Sequence, residues 1–395
     1  MGLPLEGICV IDLGQIFAAP YCTLQLAQMG AEIIKIEPPG VGESLRRAES
    51  SPGGVGYSFL MLNANKRSVT LNLKHPRGRE IILKLIERAD VLVENYSGGV
   101  MESFGLGYED LRGRFPRLVY ASAKGYASDG PWERLGAMDS TVQASSGFMS
   151  VTGYPDRSGV KTPATFIDMG TGSHLVSGIL AALLQRERSG RGQRVEVAML
   201  DVCVPALTGL IADQLQARKP ERLGNRHRNA CPSDVYPAAD GEILIFCLTE
   251  PHWRALARLM GREELIGDPR FRNHATRLAN VDEVDRAVAG WTRGKRRDEL
   301  IAALIAVGVP SAPVRTIEEL TADPEMARRG MLLDSDYPTR GAIKVAGSPI
   351  KLSESAEPER PRMRPPVLGE HTAEVLASIG IDAAELERLR GDGVV

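Results

Sequence analysis

Five cysteines are scattered along the chain, at Cys9, Cys22, Cys203, Cys231 and Cys247, and none forms a C-x-x-C pair or has a histidine close by. That pattern excludes a disulfide framework and a zinc site, and it points to reduced thiols in an intracellular setting. The N-terminus has no basic segment followed by an apolar run, and no stretch approaches the ~20 apolar residues that span a bilayer. The expected compartment is the cytoplasm, with no membrane partner. Lysine plus arginine number 48 against 50 acidic residues, a net charge of −2, so no global field draws nucleic acid to the surface. There are no internal repeats and no low-complexity tract. The G-x-G-x-x-G fingerprint of dinucleotide-binding folds is missing too: the first apolar run leads into Gly14-Gln15-Ile16-Phe17-Ala18-Ala19-Pro20.

What is present is an ordinary globular composition, 43% hydrophobic and 25% charged, over 395 residues, enough for two domains. Ile8 to Gly14 is a continuous apolar run of the kind buried on both faces of a sheet. A helix through Leu24, Leu26 and Met29, stopped by Gly30, and a second run Ala31–Glu37 complete a βαβ unit, so the sheet is expected to be parallel. Further strands are expected at 68–73, 89–94 and 118–123, with a helix at 80–88. The fold class is α/β: a Rossmann-like large domain with a parallel sheet, plus a smaller α+β domain. The expected boundaries are 1–200 for the large domain, 201–226 for a linker, 227–325 for the small domain and 326–395 for a segment returning to the large one. The small domain shows a hairpin around Ala239-Asp240-Gly241 and helices at 251–260, 281–292 and 297–306. Later come β-type runs at 334–345 and Leu352, a proline-rich arm at 358–366 and a final helix at 370–379.

Ligands of open α/β sheets bind at the carboxyl ends of the strands. Lys35, Lys66, Arg67, Lys74 and Lys124 lie near those ends and are candidate phosphate contacts, although any one of them is more often a solvated lysine or arginine. The stretch Thr162 to Val202 organises the rest. A β-leaning run, Ala164–Ile167, ends at Asp168, and Gly170 and Gly172 follow, with Thr171 and Ser173 available as caps. An apolar helix carries Leu175, Val176, Ile179, Leu180, Leu183 and Leu184 to a basic turn with Gly190 as C-cap. A carboxylate at a glycine-flanked helix entrance can hold or attack a ligand, and free N–H groups near Gly170 and Gln15 could receive an oxyanion. An isolated acid in such a place is more often a simple cap. Asp139 is itself a candidate cap for a helix through Val142 and Phe148.

Several separate blocks carry a resemblance. They are Leu5-Glu6-Gly7, Ala31 to Gly40 (A-E-I-I-K-I-E-P-P-G), Asn65-Lys66-Arg67-Ser68 with Leu71-Asn72-Leu73-Lys74, Val93-Glu94-Asn95-Tyr96, and Phe104 to Tyr108, together with the stretch around Asp168. In this order they resemble the class III CoA-transferases, the family of formyl-CoA transferase and carnitine CoA-transferase that also contains α-methylacyl-CoA racemase. The resemblance implies an interlaced homodimer with acyl-CoA and a small carboxylic acid as substrates, no metal, and no tightly bound cofactor. It makes Asp168 the nucleophile and places Gln15 near the reacting acyl group. Lys74, Asn95 and Tyr96 match CoA contacts, and Leu71, Lys124 and Asp139 complete the candidate CoA site, Asp139 as an acid close to the reaction.

Three departures accompany the match. The racemases carry a histidine just before the acid at 139, and here the residue is Met138, which cannot take a proton. Relatives with a glycine lid have glycines where this chain reads Phe246-Cys247-Leu248-Thr249-Glu250. An arginine that touches the CoA nucleotide is replaced by Ser103. The expected chemistry is double displacement through an aspartyl anhydride and an aspartyl-CoA thioester. A 2-methylacyl-CoA racemase and a non-catalytic subunit of a heteromeric transferase stay open as alternatives. An NAD-dependent dehydrogenase is opposed by the missing glycine fingerprint. His174, six residues past Asp168, reads as a packed or surface histidine. Arg46, Arg47 and Arg226 are candidates for a second carboxylate of the acid substrate.

Overall fold

The computed structural model describes residues 2–47, 54–355 and 364–395. It divides into two compact units, one of residues 1–148, 161–216 and 324–395, the other of 149–160 and 217–323.

The first unit is built on six strands: β1 Cys9–Leu13, β2 Glu32–Glu37, β3 Arg67–Thr70, β4 Val91–Glu94, β5 Val119–Lys124 and β6 Arg194–Ala198. Their spatial order is β3-β2-β1-β4-β5-β6, and each neighbouring pair is parallel. The strands read as continuous apolar runs because successive side chains point to opposite faces and both faces are covered. One face joins Ile11, Ile34, Val69 and Leu92 to Ile82 and Leu85 of the helix Pro76–Ile86. The other joins Val10, Ile33, Val93 and Val119 to Leu26 of the helix Ala18–Gln28 and to Leu175 and Ile179 of the helix Phe166–Ser189. Gly172 lets the last two helices touch: a Cβ there would stand 2.6 Å from the carbonyl oxygen of Ala18.

The Phe166–Ser189 helix has 24 residues and is apolar enough, by length and composition, to cross a bilayer. This corrects the reading that no stretch reaches such a length. Its apolarity serves the core instead, since Leu175, Val176, Ile179 and Leu183 are buried against the sheet. Gly190 closes it in the left-handed region at φ 71°, donating to Arg186 O. Two helices, Met199–Ala206 and Thr208–Leu215, take up much of the stretch expected as a linker. An antiparallel hairpin, Leu332–Tyr337 with Gly341–Ala346, lies in this unit, and no strand forms at Leu352. The helix expected at 370–379 spans only Thr372–Ala377 and is not the last. Gly380 takes φ +86°, and Asp382 then caps a further helix, Ala383–Gly391. Residues 358–363 of the expected proline-rich arm lie outside the described residues.

The second unit holds an antiparallel sheet of Ser233–Ala238, Gly241–Phe246 and Ser311–Pro313. The helices Glu250–Leu259, Val281–Thr292 and Arg297–Ala306 close it over a core of Tyr236, Ile243, Ile245, Trp253, Leu256, Val288 and Leu304. All five cysteines are free thiols.

Lys35 and Lys66 are neither solvated nor free for a phosphate, which overturns both sequence readings of them. Both are fully buried beneath the carboxyl ends of the strands. Lys66 Nζ donates to Asp12 Oδ2 (3.0 Å), Thr23 Oγ1 (2.8 Å), Asn63 Oδ1 (2.8 Å) and Pro20 O (3.0 Å). Lys35 Nζ donates to Gly14 O at 2.7 Å. Burial lowers the Lys66 pKa to about 8 against the pull of Asp12. The charge of Asp12 holds Lys35 above its usual range despite burial. Arg67 is likewise engaged, by Glu32 and Glu374. Lys66→Met is expected to destabilise the protein by about 3–5 kcal/mol, because it leaves Asp12 buried with its main cation removed. Chemical denaturation of the variant beside the wild type checks this.

Candidate active site

In this strand order the sheet reverses direction of growth between β1 and β4, and the crevice there is where open α/β sheets hold ligands. Gln15 follows β1, and Asn95 and Tyr96 follow β4. The two segments are tied together: Gln15 N–H donates to Asn95 Oδ1 and Asn95 Nδ2 donates to Gln15 O, each over 2.8 Å. Burial raises the Tyr96 pKa, opposed by Lys35 and by the Gln15 side chain beside it.

The backbone N–H groups of Gly14, Gln15 and Ile16 are each engaged by the chain itself. Gly14 N–H meets Asp12 Oδ1 at 2.7 Å, Gln15 N–H meets Asn95, and Ile16 N–H meets Glu43 Oε2 at 3.0 Å. In a dinucleotide fold the corresponding donors face a pyrophosphate. Here they carry side-chain oxygens, which is the physical counterpart of the missing glycine fingerprint. It also corrects the expectation that Gln15 N–H is free for an oxyanion. Ile16 sits at φ 63°. A β-branched residue in the left-handed region is strained by about 1–3 kcal/mol, and such strain gathers at functional sites.

Asp168 stands differently from its expected place. The Ala164–Ile167 run is not a strand: the helix begins at Phe166, so Asp168 is its third residue, and Gly170 and Gly172 lie inside it. Gly170 N–H is therefore taken up by the helix. Thr171 and Ser173 cap nothing; their hydroxyls donate back to Ile167 O (2.8 Å) and Met169 O (2.9 Å). The early start has a cause that sequence spacing does not show. Thr165, at the cap position, makes no side-chain cap. Asp139, 6% exposed, supplies it from another segment: its Oδ2 accepts from Ile167 N–H (2.9 Å) and Asp168 N–H (3.1 Å). Asp139 is thus the first residue of its own helix, Asp139–Ser145, and caps a different one. Phe148 belongs to a separate turn, Phe148–Val151. Buried Gln143 donates to Asp139 Oδ1 and clasps Thr162, accepting its N–H at 2.9 Å and donating to its carbonyl at 3.2 Å.

Two consequences reach the Asp168 carboxyl. The helix N–H groups that could stabilise its charge are held by Asp139, and the Asp139 charge stands beside it. Burial first and Asp139 second push the Asp168 pKa up to about 7. Among the described residues, no donor is recorded on its carboxylate oxygens. His174 is exposed on the same helix with Nδ1 on Gly170 O at 2.8 Å, and Met138 is exposed at the cap of the 139–145 helix.

A cavity of about 490 Å³ opens at the carboxyl ends of β2 and β3, lined by Pro38, Pro39, Leu71, Lys74, Tyr96 and Phe104 among others. Leu71, Lys74 and Tyr96 are therefore brought together in one place, with Asn95 adjoining through Tyr96. Asp168, Gln15, Asp139 and Lys124 do not line it. Lys124 is engaged elsewhere: its Nζ bonds Glu94 and the Tyr96 carbonyl (2.8 Å), steadying the turn that carries Tyr96. Ser103 Oγ caps back to Val100 O. Arg46 and Arg226, proposed for a second carboxylate, are both occupied. Arg46 is buried and grips Glu37 with two nitrogens at 2.7 Å, while Arg226 pairs with Asp234, Asp282 and Asp285. Arg47 is exposed. Asp12, Glu43 and Gln143 are site-building residues that sequence reasoning missed. No local pattern marks them, since each acts on a partner distant in the chain or buried beneath it. Among the described residues, no group of three or more His, Cys, Asp or Glu side chains could hold a metal ion.

The structure is an α/β fold with a strand-end crevice and, at the start of a core helix, a carboxyl whose pKa burial and Asp139 push up. The model of CoA-transferase family III matches residues 5–372, and the chain belongs to that family. Two relatives are of nearly equal length. The succinyl-CoA:mesaconate CoA-transferase of Haloarcula hispanica is 37% identical over 95% of this chain and 96% of its own. The succinate–glutarate CoA-transferase of Agrobacterium fabrum is 36% identical over the same shares, 95% and 96%. Among solved structures, a CAIB/BAIF family protein from Brucella suis superposes with a TM-score of 0.86 at 32% identity, over 96% of this chain and all of that one. The protein is a CoA-transferase, and coenzyme A is the group such enzymes move.

The raised Asp168 pKa has a sign that can be measured. The folded value lies above the ordinary 3.8, so the native state keeps a proton that the unfolded chain releases. Its stabilising share is full below pH ~4 and is lost as pH rises through ~7. Asp168→Asn is therefore expected to raise Tm at pH 8 and to raise it far less at pH 4. Asp139→Ala should cost about 0.5–2 kcal/mol as a lost cap and shift the Asp168 titration to lower pH. NMR titration of labelled aspartates, or the pH dependence of Tm, reads both.

Proposed function

We propose that the protein moves CoA from an acyl-CoA donor to a carboxylic acid, a C4–C5 dicarboxylic acid for preference, with Asp168 as nucleophile. The observation that carries this is the Asp168 carboxyl: partly buried, without a recorded donor, and with a pKa pushed up to about 7. A carboxylate of raised pKa is more basic and more nucleophilic than an ordinary surface acid, yet still ionised in useful amount at neutral pH. The named activities of the two relatives support the dicarboxylate class.

The steps balance without a nucleotide, a metal or a tightly bound cofactor. Asp168 attacks the thioester carbonyl of the donor and the CoA thiolate leaves, giving a mixed anhydride. The thiolate attacks the Asp168 carbonyl of that anhydride, releasing the donor acid and leaving an aspartyl-CoA thioester. The acceptor carboxylate attacks this thioester, expelling thiolate and forming a second anhydride. The thiolate then attacks the acceptor's carbonyl, so the new CoA ester leaves and Asp168 is a carboxylate again. Gln15, tied to Asn95, is assigned to the acyl group. Its side-chain amide is the donor suited to the developing oxyanion, since its backbone N–H is occupied. The cavity at Leu71, Lys74 and Tyr96 is assigned to CoA, with exposed Lys74 facing phosphate and Asn95 beside it. Asp139 is assigned to shaping the Asp168 helix rather than to CoA, and Lys124 to holding the Tyr96 turn.

Met138 in place of a base speaks for transfer over racemisation. Functional domains at 1–200, 227–325 and 326–395 around a 201–226 linker, a cytoplasmic location and an interlaced homodimer complete the reading. Leu215, 82% exposed, with Leu184 and Val204, offers apolar surface suited to a second copy. Asp168→Ala is expected to abolish transfer from succinyl-CoA to glutarate or mesaconate while CoA still binds by calorimetry. Comparable turnover in that variant refutes the assignment. For the wild type, kcat/KM should rise with pH through about 7, as Asp168 must be ionised to attack.

A further inference from the structure

Glu43 belongs to no strand and precedes the short turn Ser44–Arg46. It is 4% exposed. Its backbone is fixed, because its N–H donates to Glu37 Oε2 at 3.1 Å and Glu37 is gripped by Arg46. Its side chain reaches the turn after β1, where Oε2 accepts the Ile16 N–H at 3.0 Å. Oε1 is buried with no partner. A buried carboxyl with one open oxygen is unfavourable by itself. Burial raises its pKa, Glu37 adds to that, and Lys35, Lys66 and the Ile16 N–H oppose it. The residue it holds, Ile16, is in the left-handed region at φ 63° and adjoins Gln15.

We propose that Glu43 is a positioning residue for Gln15. It holds the Ile16 peptide in its strained conformation and thereby fixes the direction of the Gln15 side chain. The proposal rests on the assignment of Gln15 to the acyl group. Without the Glu43 acceptor, Ile16 relaxes to negative φ, the peptide between residues 15 and 16 turns, and the Gln15 amide leaves its place. The turn costs Asn95 its bond to the Gln15 carbonyl, but Gln15 N–H still holds Asn95 Oδ1, so Leu71, Lys74 and Tyr96 keep their places for CoA and the loss falls on the chemical step.

The test uses the full-length protein with succinyl-CoA as donor and glutarate as acceptor. Steady-state kinetics is joined to single-turnover trapping of the Asp168 adduct with hydroxylamine and mass spectrometry. Glu43→Ala should lower kcat on the order of 100-fold, the scale of a 1 Å misplacement, with KM for succinyl-CoA unchanged. Glu43→Gln keeps an acceptor oxygen for Ile16 and should stay near wild type. Combining Glu43→Ala with Ile16→Gly should recover about tenfold of the loss, because glycine adopts positive φ without help. A merely structural role would not give that rescue. Wild-type adduct formation in Glu43→Ala, a loss confined to KM, or a double variant no faster than Glu43→Ala overturns the proposal. If Glu43→Ala does not fold, Glu43→Asp decides: its carboxylate is one methylene short, so a lowered kcat at unchanged KM supports the role and a wild-type kcat refutes it. Absence of any Asp168 adduct in the wild type counts against the nucleophile assignment alone, and the kcat ratios still judge Glu43.

Discussion

One carboxylate sets the position and the acidity of another. Asp139 accepts the N–H groups of Ile167 and Asp168 and so starts a long core helix two residues before the aspartate assigned to attack. The same contact takes the helix end's positive donors for Asp139 and stands a second negative charge beside Asp168. A lone carboxyl in the first turn of a helix is ordinarily stabilised as an anion. Here that stabilisation goes to its neighbour, and burial does the rest. Gln143, by clasping both Asp139 and Thr162, makes the arrangement a connected network rather than a single contact. A network whose members are each satisfied rigidifies the elements it joins.

The turn after β1 follows a related logic. Its three successive N–H groups would suit a phosphate, yet Asp12, Asn95 and Glu43 occupy them. Beneath them, Lys35 and Lys66 neutralise Asp12 and anchor the Gly14 carbonyl. A Rossmann-type frame has thus been fitted with its own side-chain oxygens at the position where relatives of that topology hold a dinucleotide. The CoA site assigned here lies one strand away, at the ends of β2 and β3. The frame keeps its habit of binding at strand ends and changes the donors.

The parallel sheet, its helices and the smaller antiparallel sheet were legible because they rest on apolar periodicity and on turn residues that act locally. β1 through β5 fall within a few residues of the runs that announce them. The start of the Asp168 helix was not legible, because its cap is supplied from a segment almost thirty positions earlier in the chain. The same reason hid Glu43, whose partner Ile16 is twenty-seven positions away. Lys35 and Lys66 misled because a charged residue near a strand end looks alike whether it faces solvent or a buried aspartate. Arg46 misled for the same reason, with Glu37 as its unseen partner. Leu71, Lys74 and Tyr96 were named through family resemblance, and the cavity draws those three to one wall.

Gly172 gives this design a final consequence. The helix that carries Asp168 and the helix that follows Gln15 meet where Gly172 faces the Ala18 carbonyl, and even one methyl group would stand too close. The spacing of the two helices is thereby gauged by a missing side chain. Any residue other than glycine there would act as a shim, tilting one helix off the other. Drift in sequence can reshape the walls of the cavity at Leu71 and Lys74, but the separation of these two helices has no such freedom.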